Sequence, residues 1–158
     1  MGTCTSTCQY WYLPVVIQGF ALFFVIIGWM ISIWSAKKQA LRKETYDRIN
    51  SIFDKISELQ STAVEFYGSS ERCQKQRLHI INNTEILTSL IEALPDKSFK
   101  DSLAYLVEFK DSIALNEYFD DLSIPLPEGK SQEVIQEMVL NANNLIRLLH
   151  DIFKQTFR

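Results

Sequence analysis

Two histidines are the side chains in this 158-residue sequence best suited to move protons near neutral pH, and each has an arginine nearby. Arg72 precedes His79 by seven residues, two turns of a continuous helix, so the spacing predicts that both side chains leave one face. An imidazole there is suited to general acid or base work in RNA cleavage, with the guanidinium holding a phosphate. Arg147 and His150 make a second pair nearer the C-terminus. The ordinary alternative for both pairs is a solvated helix face or a contact between copies. Neither histidine belongs to a His/Cys/Asp/Glu cluster at zinc spacing, the nearest cysteine to His79 being the solitary Cys73, so no metal is expected. The sequence has no Gly-rich phosphate loop, no G-x-S-x-G and no cysteine locally paired with histidine. The 19 acidic residues read as solvated helix faces. The expectation is a chain without cofactor or catalytic residue, with Arg72, His79, Arg147 and His150 as its candidates for chemistry.

The elements that must carry these residues divide sharply by charge. All 35 Asp, Glu, Lys and Arg residues follow residue 36, although the net charge of the whole chain is only −3. That balance is wrong for a DNA-binding protein, and no DNA or RNA partner is expected. From Leu13 to Trp34 run 22 residues of which only Gln18 and Ser32 are polar. At 1.5 Å per residue they span roughly 33 Å, one hydrocarbon core, and predict a transmembrane helix. A cleaved signal peptide would have a basic leader, a shorter apolar run and a small-residue cleavage site, none of which stands here.

Lys37, Lys38, Arg42 and Lys43 follow the span directly, whereas residues 1–12 carry no charged side chain. The positive flank predicts an extracytoplasmic N-terminus (1–12), a membrane helix (13–36) and a cytoplasmic helical domain (37–158) in an inner or plasma membrane. Tyr10, Trp11 and Tyr12 at one end, with Trp29 and Trp34 near the other, suit headgroup depth. A competing signal is Met1-Gly2-Thr3-Cys4-Thr5-Ser6, which fits the short myristoylation pattern and would need a cytosolic N-terminus. With the N-terminus outside, Cys4 and Cys8 are either free or oxidised, and Cys73 stays a reduced thiol. Gly28, Ser32 and Ala36 recur every four residues as a small-residue stripe suited to close helix packing. Gln18 lies about five residues inside the span, where its amide needs headgroup water, a neighbouring helix or a polar passage.

Beyond the basic flank the apolar spacing is helical throughout, with no sustained alternation of period two, so the fold class is all-α: one transmembrane helix followed by a four-helix cytoplasmic bundle. The first helix continues through Leu41, Ile49, Ile52, Phe53, Ile56, Leu59, Ala63 and Phe66 to about Tyr67, and Gly68-Ser69-Ser70 stops it. A second begins at Glu71 with Ser70 as cap and presents Leu78, Ile81, Leu87 and Ile91 before Pro95. Ser98-x-x-Asp101 opens a third, which runs through Phe99, Leu106, Phe109 and Ile113 to Tyr118. After a loop holding Pro125, Pro127 and Gly129, Ser131 caps a fourth whose face is Val134, Met138, Ala142, Leu145, Leu149, Ile152 and Phe153, with Lys154 and Arg158 suiting its last turn. Ile80, Val107, Leu140, Leu148 and Phe157 fall off these seams, surplus apolar surface that a homo-oligomer would bury.

The six residues between Arg72 and His79 resemble the R-x(4–6)-H spacing of HEPN-type ribonucleases. Arg147-Leu-Leu-His150 lies late in the chain, where that family places its pair, but with a gap of two. A membrane helix, a small all-α domain and degenerate Arg/His traces together resemble the small accessory membrane proteins of RNA-targeting type VI-B CRISPR loci. The resemblance implies a homo-oligomeric, pore-like assembly that depolarises the membrane during antiviral defence, with no working nuclease. Partners are then the lipid bilayer and further copies of the chain, with Gln18 lining the passage. Two alternatives stand beside it: an anchored adaptor that recruits a cytosolic protein, and a tethered ribonuclease.

Overall fold

The computed structural model describes residues 12–69, 72–127 and 129–157. The lipidation pattern at Gly2, the cysteines Cys4 and Cys8, and the aromatic residues Tyr10 and Trp11 lie outside them, as do the expected cap Ser70, the expected helix start Glu71, and Arg158. The described chain is helical, without strands: α1 (Tyr12–Gly68), α2 (Gln74–Glu92), a 3-10 turn (Lys97–Asp101), α3 (Ser102–Ala114), α4 (Glu117–Asp120) and α5 (Lys130–Thr156). It falls into two units that divide between Lys43 and Glu44.

The N-terminal unit is the apolar part of α1, long and apolar enough to cross a membrane. An 18-residue window reaches a mean hydropathy of 2.3, and none of that window is buried within the chain. Phe20, Phe24, Trp29 and Trp34 stand in the open, an arrangement that water penalises and lipid does not. No proline follows Pro14 until residue 95, so nothing in the sequence breaks the hydrogen-bond ladder of α1.

The C-terminal unit has an intramolecular core. From α1 it takes Ile49, Ile52, Ile56, Leu59, Ala63 and Phe66, spaced three and four apart as predicted, with Tyr67 beside Phe66, and all are buried; Phe53 packs partly against them, while Leu41, expected on the same seam, is exposed. α1 stops where predicted, its last turn closed by the Ser69 amide donating to Glu65 O at 3.0 Å. α5 buries Val134, Met138, Ala142, Leu145, Leu149 and Ile152 of its predicted face, and Phe153, the last residue of that face, packs only partly against the core.

Four expectations give way. α2 opens at Gln74, three residues after the expected start, with Cys73 at the cap position and no side-chain bond from it. Its inward face is Ile80, Asn83, Thr84, Leu87 and Ile91, whereas the expected core residues Leu78 and Ile81 are exposed. Ile80, expected as surplus surface, is fully buried, and Leu148 packs partly against the core. Capping at Ser98 is replaced by Asp96, whose carboxylate accepts from the Ser98 amide at 2.8 Å and opens the 3-10 turn before α3. α3 ends at Ala114 instead of reaching Tyr118. The Asn116 side chain then accepts from the Phe119 amide at 2.9 Å and starts the one-turn α4, which turns Phe119 into the core. Finally, Ser131 does not cap α5. Gly129, at φ 82°, stands in the cap position, a left-handed conformation that costs glycine little, and Ser131 Oγ donates to Tyr67 O at 2.7 Å.

Candidate functional site

The predicted Arg72/His79 pair is not assembled on one helix face, because Arg72 precedes α2 and its side chain is committed elsewhere. Its guanidinium donates from Nη1 to Tyr118 O and from Nη2 to Ile124 O, two carbonyls from a distant part of the chain. A forked, permanently charged donor suits two diverging carbonyls, so Arg72 pins the segment that follows α3 onto the turn between α1 and α2. Arg77, in the first turn of α2, continues the clamp: it pairs with Asp120 at 3.0 Å and lies 5.3 Å over the Phe119 ring.

His79 has different neighbours. The Asn83 amide donates to its Nε2 at 3.0 Å, and Nε2 stands 3.5 Å from Glu58 Oε1. Glu58 is held below the usual carboxylate range first by its hydrogen bond from Lys55, with lesser contributions from Asn83 and His79. The buried Asn83 is the residue that the sequence reading missed here. Its position four residues after His79, one turn along α2, was the available signal. His79 lines an open cleft with Thr62, Glu65, Lys75, Gln76, Leu78 and Asn82, and Arg72 lines a separate one with the Pro125–Pro127 loop. The imidazole that would move a proton and the guanidinium that would hold a phosphate thus belong to two different surfaces.

Arg147 and His150 are exposed on α5, three residues apart on its outward side. Among the described residues no three His, Cys, Asp or Glu side chains are grouped to hold a metal ion. Tyr67 is a buried titratable group: its hydroxyl donates to Ile113 O and accepts from the Asn116 amide at 2.8 Å, and burial pushes its ionisation upward. It ties the end of α1 to the end of α3 and is an architectural centre.

The membrane-type residues make a more coherent surface. At 100° per residue, Gln18, Ala21, Gly28, Ser32 and Ala36 fall within a sector of roughly 80° on α1, so the polar residue and the small residues share one face. All five are exposed, and a side-chain carbon added at Gly28 would meet no atom within 4 Å. The face is unobstructed for a second helix. On the C-terminal unit, Val107 and Leu140 are exposed as expected, and Leu115 is 78% exposed beside the shallow groove between α3 and α5. No family model, curated protein or solved structure matches this chain.

Proposed function

We propose that the chain is a single-pass membrane protein that acts by assembling with copies of itself and perturbing the bilayer, its C-terminal helical unit lying in the cytoplasm. The observation that carries this reading is the shared sector of Gln18, Ala21, Gly28, Ser32 and Ala36 on the N-terminal part of α1, which is charge-free as far as Ala36 and whose most apolar window buries nothing within its own chain. In lipid such a face gains by packing against its equivalent, and an amide near one end gains a partner or a hydrated passage. The binding surfaces that a nuclease would combine, around Arg72 and around His79, have separate partners, which favours an assembly without chemistry of its own. The antiviral setting comes from the resemblance in layout alone.

The decisive measurement is the mass of the detergent-solubilised protein, compared with that of a Gly28→Leu/Ser32→Leu variant. A defined oligomer that shrinks in the variant is the expected outcome, together with dye entry into expressing cells that falls for Gln18→Leu. An unchanged oligomer would move association to the C-terminal unit. A monomer would favour the second reading, an anchored adaptor, for which the exposed Val107, Leu115 and Leu140 supply the docking surface.

A further inference from the structure

The charges of the chain are segregated more strongly than its net value shows. Four cations, Lys37, Lys38, Arg42 and Lys43, occupy seven consecutive positions of α1 immediately after the apolar segment. Beyond Lys43 the chain holds all 19 acidic residues and 12 of the 16 basic ones, a net charge near −7. Within α1 a collar of four positive charges therefore stands between a charge-free segment and a net acidic remainder of the chain.

None of these cations forms an ion pair with a described residue. All four are exposed, and no ion pair joins any of them to a described carboxylate. The first acid after the collar, Glu44, is taken by Arg48 at 2.8 Å. Lys38 Nζ instead lies 5.8 Å over the Trp34 ring, and indole is the side chain best suited to headgroup depth. Helical rotation of 100° per residue distributes the four around α1, so the collar faces outward on several sides and not toward a single protein partner.

We infer that this collar binds the headgroups of anionic phospholipids in the leaflet beside the C-terminal unit, and that the protein gathers such lipids around α1. The inference rests on the reading of α1 as a membrane span and adds the lipid class that it selects. Four unpaired cations at headgroup depth attract phosphodiester anions, and the acidic unit offers those anions no competing attraction. The attraction weakens as salt shortens the screening length.

The test uses the full-length protein reconstituted into phosphatidylcholine vesicles that contain a minority of phosphatidylglycerol. Symmetric leaflets make the result independent of the direction of insertion. Energy transfer from the tryptophans to trace labelled phosphatidylglycerol is compared with transfer to the same label on phosphatidylcholine. The expected result is an enrichment of the anionic lipid of about threefold or more, lost at high salt and lost in the Lys37→Gln/Lys38→Gln/Arg42→Gln/Lys43→Gln variant. Equal transfer to both lipids, in vesicles that still retain the protein through an alkaline wash, would overturn the collar inference and leave the span standing. Enrichment that persists in the quadruple variant would also overturn it. Release of the wild-type protein from the vesicles by that wash would overturn the span itself, and the collar with it.

Discussion

Arg72 shows how a residue that reads as catalytic serves the architecture. Its two hydrogen bonds reach carbonyls 46 and 52 residues further along the chain, and together with the Arg77–Asp120 pair they fasten α4 and the Pro125–Pro127 loop to the start of α2. Removing it leaves two partly buried acceptors unsatisfied. We expect Arg72→Ala to cost the C-terminal unit about 1–3 kcal/mol, measured by urea unfolding. Arg72→Lys should recover only part of this, since an ammonium lacks the planar fork. His79→Ala should cost less than Arg72→Ala, because His79 is half exposed and Asn83 keeps its bond to Glu58. If RNA cleavage were found and vanished with His79→Ala at unchanged stability and assembly, the ribonuclease reading would replace the one proposed.

At the scale of single helices, periodicity was a reliable guide where an element is long and its cap is not contested. α5 spans Lys130–Thr156, and its expected face is buried from Val134 to Ile152, with Phe153 partly covered. α2 illustrates the opposite case. Reading it from Glu71 made Leu78 and Ile81 the core positions, but the helix opens at Gln74 and rolls Ile80, Asn83 and Thr84 inward instead. Apolar residues at 78, 80 and 81 leave the sequence nearly symmetric about the choice, and burial in the common core, where α2 meets α3 and the 3-10 turn, decides it. The same distinction separates a core position from a docking position on α5. Leu149 is fully buried, so a charge there would unfold the unit and say nothing about assembly, whereas Leu140 is 61% exposed. We predict that Leu149→Ala lowers stability by about 2–5 kcal/mol. Leu140→Glu should stay within about 0.5 kcal/mol of wild type. Thermal melts provide that comparison, and any loss of association in Leu140→Glu then reports on a surface and not on folding.

For the molecule as a whole, topology is the property on which every functional reading depends. The basic residues from Lys37 to Arg48 stand on one side of the apolar run and none stands on the other. We predict that a C-terminal reporter that is active only inside the cytoplasm will work, and that one active only outside will not. The opposite result would place Asn82-Asn83-Thr84 outside, with Asn82 exposed on α2 as an acceptor for glycosylation in a eukaryotic host.

What the sequence determined alone is the division into an apolar, charge-free helix and a charged helical unit, because hydropathy and net charge are sums over neighbours that no tertiary contact alters. The end of α1 and the buried face of α5 belong to the same class, since a Gly-Ser-Ser run that favours a helix end and an amphipathic repeat both act locally. Tertiary structure decided the rest. The start of α2, the 3-10 turn capped by Asp96, the break at Asn116 and the fate of Arg72 all depend on partners far away in the chain. Tyr67 hydrogen-bonds to Ile113 and Asn116, and Ser131 to Tyr67, across separations of 46 to 64 residues that no local spacing encodes. For that reason Arg72 and His79, seven residues apart in sequence, belong to different surfaces: one residue is held by distant backbone carbonyls and the other by side chains on its own helix and on α1.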